Sequence, residues 1–164
     1  MGCDIHLQVE RQRPDGSWAR VHPIDVNPKA LGQCGPTDDV EVYSDRCYPL
    51  FAILADIRNS YGLIPLLIAK GESEATRGLP LDTTLSTRYD DLGDHSFSWL
   101  TLEELEYYPW LAPQDRQEGS AWTVMIPAEM VHKFYKETIP LLRALAAKEQ
   151  VTYSKIRIVF GFDS

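Results

Sequence analysis

Residues Cys3 to Val9, "CDIHLQV", alternate apolar and polar side chains, and the closing stretch "KIRIVFGFDS" again sets Ile156, Ile158, Phe160 and Phe162 two apart. A period of two is that of a strand with one buried face, because successive side chains point to opposite sides. Strands at both ends of a chain restrict the fold, since each needs a neighbour and each can supply one. If the first and last strands pair antiparallel, the start of one lies beside the end of the other. Asp4 then meets Asp163, with His6 on the same face, opposite Ile5, Leu7 and Phe162. Cross-strand neighbours of this kind have Cβ atoms about 4.5–5.5 Å apart.

The chain between these strands reads as alternating short elements. "DIHLQVERQRPDGSWARVH" predicts a β-hairpin turning at Pro14-Asp15-Gly16, with Asp-Gly as the turn signal. Pro23–Asp45 is loop-like, with three prolines, two glycines and the acidic run "TDDVEVYSD". "YPLFAILADIRN" predicts a largely buried helix with Pro49 in its first turn and its polar residues Asp56, Arg58 and Asn59 at the end. From Lys70 to His95 a polar connection follows, long enough to be functional or lid-like. Thr101 with Glu104 three residues on forms a capping box that opens a helix. "AWTVMIP" predicts a strand. Pro127–Gln150 predicts the longest helix, kinked at Pro140. The order suits one α+β domain over 1–164, mainly an antiparallel sheet with first and last strands adjacent, packed by two to three helices.

Composition narrows the function classes. The longest apolar run, Tyr61–Ala69, is short and broken by Pro65, too little for a membrane span. No basic segment followed by an apolar one marks a secretory signal. "MGC" suggests acylation, but His6 stands where that pattern needs Ser or Thr. Three cysteines, Cys3, Cys34 and Cys47, without C-x-x-C spacing suit reduced thiols in a cytoplasmic setting. A net charge of −8 opposes binding of long nucleic acid. It leaves room for a small anionic ligand or nucleotide in a local pocket, for a homo-oligomer, or for a basic host protein as partner.

Asp4, His6 and Asp163 make a two-carboxylate, one-imidazole set suited to a divalent metal such as Mn or Zn. "DLGDHSFSW" supplies Asp94, His95, Ser96 and Ser98, in which His95 suits general acid/base work. Arg58, Asn59 and Arg77, the last beside Gly78, are candidates for holding phosphate with Ser96. Each also has a plain structural reading: helix-dipole compensation for Arg58, a turn for Ser96. Cys3 has the opposite parity to His6 and reads as a small buried residue rather than a nucleophile. The aromatic run "YYPWLAP" suits a stacking surface or simple packing. Phosphate-cradling G-x-x-x-x-G-K-[ST], G-x-G-x-x-G, H-E-x-x-H and G-x-S-x-G patterns are absent.

Taken as a set, "MGCDIH", "YPLFAILADIRN", "RGLP", "HSFSWLTLEEL" and "RIVFGFDS" resemble an uncharacterised family of small phage-encoded and bacterial proteins. The resemblance touches both termini and the middle. It implies a phage or prophage context and makes Asp4, His6, Arg58, Asn59, Arg77, His95 and Asp163 motif members, without an activity. The residues leave three functions open. One is a metal-dependent hydrolase of phosphoester bonds in a small nucleotide-type substrate. The others are a non-catalytic nucleotide-binding protein and an acidic phage inhibitor of a host protein.

Overall fold

The alternation at the two ends builds the centre of the sheet. In the computed structural model, which describes residues 2–28, 41–88 and 92–164 (85 and 86 by backbone alone), β1 (Asp4–Gln12) pairs antiparallel with β6 (Ile156–Asp163). The register sets Asp4 opposite Asp163, Ile5 opposite Phe162 and His6 opposite Gly161. β2 (Trp18–Val21) extends the sheet beyond β1, and β3 (His95–Thr101) beyond β6, in the order β2-β1-β6-β3. The fold is α+β, with its first and last strands adjacent, as the alternation predicts. Cys34, residues 37–40 of the acidic run and residues 89–91 of the polar connection lie outside the described residues.

One face of the sheet carries the core. Cys3, Ile5, Leu7, Val9, Ile158, Phe160 and Phe162 are buried there against α2 (Tyr48–Ala55), whose Leu50, Phe51, Ile53 and Leu54 are fully enclosed. The Phe51 and Phe162 rings meet edge-on, 5.1 Å between centroids. Each such side chain contributes about 1.5–3 kcal/mol by leaving water.

α2 stops four residues before the Asn59 that ends the apolar pattern. Asp56 and Arg58 take left-handed φ values of 58° and 52°, which no helix can continue through. Asn59 closes the resulting turn, its Oδ1 accepting from Leu63 N and its Nδ2 donating to Leu63 O and Asp56 Oδ1. Single helical turns at Pro23–Val26 (α1), Leu66–Ala69 (α3) and Leu85–Arg88 (α4) punctuate the connections. The first of these lies in a stretch that reads as loop, and His22 Nδ1 caps it by accepting from Ile24 N.

α5 (Leu102–Tyr107) begins with the predicted box: Thr101 Oγ1 accepts from Glu104 N, and Glu104 Oε1 from Thr101 N. β4 (Gln114–Glu118) and β5 (Ala121–Met125) form a separate ribbon, anchored where Gln114 accepts from Ile64 N and donates to the Tyr108 hydroxyl. The predicted helix Pro127–Gln150 is instead α6 (Pro127–Met130), a wide turn at Phe134–Thr138 and α7 (Ile139–Glu149). Ile139 N–H reaches back to Phe134 O, five residues away. Pro140 has no N–H for the helical ladder, and the turn before it widens accordingly.

The second face of the sheet is polar and is covered by the stretch that reads as a long loop. Thr83 and Thr84 reach Glu10, Asp82 reaches Arg157, and Leu92–Asp94 lies against the end of β6. His95, expected at the end of that loop, opens β3. Among the described residues no helix is long and apolar enough to cross a membrane.

Candidate functional site at the end of the sheet

The register of β1 and β6 determines what gathers at the sheet's end. His6 and Asp163 are diagonal neighbours on the polar face, and His6 Nε2 lies 2.5 Å from Asp163 Oδ2. Their side chains are 22% and 42% exposed, so a solute can reach the pair while bulk water does not surround it. Asp4, directly opposite Asp163, turns to Arg46 instead: Arg46 Nε donates to Oδ1 at 2.9 Å and Nη2 to Oδ2 at 3.0 Å. Gly2 makes this possible, because a Cβ on residue 2 would fall inside the Arg46 guanidinium.

Beneath this pair stands Cys3, fully buried, its N–H donating to the Tyr48 hydroxyl at 3.3 Å. Burial pushes the Cys3 thiol up; Arg58 opposes that, Asp163 and Asp4 add to it, and Arg46 opposes it in turn. The net rise keeps the thiol protonated and unreactive, in line with its parity in the strand. Arg58 and Arg46, like Asp163 and Asp4, thus lie within electrostatic reach of the Cys3 thiol. Arg58 lies 5.9 Å from the Tyr48 ring centroid and holds a left-handed backbone, the kind of local strain that collects at ligand sites.

His95 stands on the other side. It is paired with Phe162, a core-facing residue, and directly opposed residues share a face. Its ring stacks on Phe162 at 6.3 Å, Nδ1 is 2.9 Å from Ser96 Oγ and Nε2 is 3.2 Å from Ser164 Oγ. His95 thus lies on the face opposite His6 and Asp163, although its Nε2 reaches Ser164, the residue after Asp163. Arg77 lies elsewhere along β3, its guanidinium shared by Glu104 and Glu72 and stacked 4.3 Å over Trp99. Its backbone N–H donates to the buried Ser98 hydroxyl. Asn59 spends both ends of its amide on its own turn. Of the eight candidates Asp4, His6, Arg58, Asn59, Arg77, His95, Ser96 and Asp163, the structure gathers His6, Asp163 and Asp4 at the end of the sheet, with Arg58 within electrostatic reach of the neighbouring Cys3.

It missed Arg46, which no motif or spacing marks, and a second charged centre. Glu10 and Arg157 face each other in the same register, Glu10 fully enclosed and Arg157 almost so. Arg157 Nε and Nη2 donate to Glu10 Oε1 at 2.9 and 2.7 Å, and its guanidinium lies 3.8 Å over the Trp18 ring. Burial raises the Glu10 carboxyl, but the Thr84 N–H and Arg157 outweigh it and hold it below its usual range. Its polar atoms are satisfied by the protein itself, which marks it as structural.

The donor chemistry of Asp4, His6 and Asp163 suits Mn or Zn. Their arrangement does not: Asp4 is engaged by Arg46, and among the described residues no group of three or more His, Cys, Asp or Glu is arranged to hold a metal ion. No protein-family model, curated protein or solved structure matches the chain.

Proposed function

We propose that the end of the sheet hydrolyses a phosphoester in a small nucleotide-type ligand, with His6 as the acid–base group. The observation that carries this reading is the 2.5 Å contact between His6 Nε2 and Asp163 Oδ2 in a partly exposed setting. A carboxylate in that position orients an imidazole and fixes which ring nitrogen carries its proton, the logic of an oriented base. His6 takes the proton from a water as its oxygen bonds to phosphorus, and returns that proton to the departing alcohol as the P–O bond breaks. Arg46, a planar fork matched to phosphate, leaves Asp4 for the substrate, and Arg58 adds a second positive charge. The overall charge of −8 suits this local cationic spot to a small anion better than to a polymer.

In this reading the protein works in a phage or prophage setting, in the cytoplasm, and any Mn or Zn binds only after Asp4 leaves Arg46. The test is chromatography of linear and cyclic nucleotides after incubation with wild type, His6→Ala and Asp163→Asn. Product from wild type, reduced about 100-fold or more in His6→Ala, is the expected result, since general acid–base catalysis contributes about 10²–10⁴-fold. Thermal stabilisation by a nucleotide that is recovered unaltered would replace hydrolysis with a binding-only module. Neither turnover nor stabilisation would leave the acidic-inhibitor reading.

A further inference from the structure

A partly buried aromatic ring stands near the His6–Asp163 pair. β3 and β6 lose register between His95 and Ser98, and Ser96 takes a left-handed φ of 58° within that bulge. Bulges re-aim side chains, and the one re-aimed here is Phe97. Its Cδ1 and Cε1 lie 2.6 and 2.9 Å from where a Cβ on residue 161 would stand. A Cβ there would overlap the Leu92 carbonyl oxygen more closely still, so glycine at 161 admits both that backbone and the ring against β6. Gly161 in turn is the residue directly opposite His6, and opposed residues in such a pair have Cα atoms about 4.5–5.5 Å apart.

Three features distinguish this ring from ordinary packing. Phe97 is not enclosed, whereas Phe51, Phe134, Phe160 and Phe162 are. It lies on the polar face, outside the hydrophobic cluster. Its placement also uses an unusual backbone feature, the left-handed Ser96 within the bulge. A ring needed only to shield the sheet requires no such bulge. Beside the His6 imidazole and the Arg46 guanidinium fork, a partly buried aromatic ring across Gly161 is a surface on which a planar heterocycle can stack.

We infer that Phe97 is the base platform of this site, so that the ligand is a nucleotide whose base stacks on Phe97 while its phosphate faces His6 and Arg46. The inference rests on the phosphoester reading for the phosphate half and on the Gly161–Phe97 geometry for the base half. Stacking of a base on an aromatic side chain is sequence-tolerant, because every base has a π-face, so the platform selects nucleotides as a class.

Calorimetry with AMP, ribose 5-phosphate and adenosine separates the two halves, on wild type, Phe97→Leu and Phe97→Tyr, with thermal melts confirming that each variant folds. Wild type should bind AMP at least about tenfold more tightly than ribose 5-phosphate, a typical value for one stacked base. Phe97→Leu should erase that gap while leaving ribose 5-phosphate unchanged, and Phe97→Tyr should restore it. Equal affinity for AMP and ribose 5-phosphate in wild type overturns the platform and leaves the phosphate reading intact. Adenosine binding that Phe97→Leu abolishes, without any ribose 5-phosphate binding, upholds the platform and overturns the phosphate reading. Should none of the three bind, both fall.

Discussion

Asp4 and Asp163 face each other across β1 and β6, yet their carboxylates part: Asp4 is forked by Arg46 and Asp163 takes His6. The opening "MGCDIH" acquires a physical meaning from this. Gly2 leaves space for the Arg46 guanidinium, Cys3 and Ile5 enter the core, and Asp4 and His6 collect one cation and one carboxylate. Because the Asp4–Arg46 pair is about half exposed, its contribution to stability is small. Arg46→Ala should therefore shift the melting temperature by no more than about 4 °C. It also frees Asp4. If a divalent cation belongs to this site, Arg46→Ala should bind Mn or Zn more tightly than wild type by calorimetry, and His6→Ala should remove the gain. Unchanged, negligible heat in both proteins would end the metal proposal.

The Glu10–Arg157 pair behaves differently because both members are enclosed. Removing one partner leaves a buried charge short of its counter-ion, which costs about 3–5 kcal/mol. Glu10→Gln and Arg157→Met should each lower stability in urea by about 3 kcal/mol, softened in the first case by Asp82, 3.0 Å from Arg157 Nη1. The double variant should be more stable than the two losses predict, by about 1 kcal/mol or more. Strict additivity would show that the pair carries no coupling and that the threonines alone hold Glu10.

How much of this was legible follows from which forces act locally. Alternation in β1 and β6 placed both central strands, and antiparallel pairing alone put Asp4 opposite Asp163. The same register puts Glu10 opposite Arg157, so that centre was readable too. The Thr101–Glu104 box was visible because a cap is a contact between near neighbours in sequence. β4 was not visible: "QDRQE" offers no apolar alternation, and its pairing with β5 supplies the strand geometry. Arg46 reaches Asp4 across 42 residues and Arg77 reaches Glu104 across 27. Contacts of that kind depend on the tertiary path of the chain, which no spacing encodes.

Glu104 ties acid stability to that path. Burial alone would raise its carboxyl, but Arg77, Lys70 and the Thr101 N–H hold it down at about 2. A carboxyl depressed in the folded state stabilises at pH values above its unfolded pKa, near 4.5. That contribution, about 3 kcal/mol from about 1.4 kcal/mol per unit, fades as pH falls from about 4.5 toward 2. Glu104→Gln should therefore be less stable than wild type at pH 7 and should lose less on acidification through that window. Parallel stability curves for the two proteins from pH 6 to pH 2 would refute the assignment.

Gly161 is where the fold and the candidate site constrain the same atom. A methyl there overlaps the Leu92 carbonyl oxygen, which is backbone, and the Phe97 ring, which is not. The ring can rotate away, but the Leu92–Asp94 strand of backbone is held by Asp94 N–H to Phe162 O at 2.8 Å and by Gly93 pressed against the same carbonyl. Gly161→Ala should therefore cost about 1–3 kcal/mol, the usual range for overpacking, and the loss should be local. Hydrogen exchange at Asp94 N–H should accelerate far more than at the β1–β6 amides, such as those of Leu7 and Phe160. If every amide accelerates alike, the added methyl acts on the whole sheet, and the approach of Leu92 to residue 161 is not the feature that fixes glycine at this position.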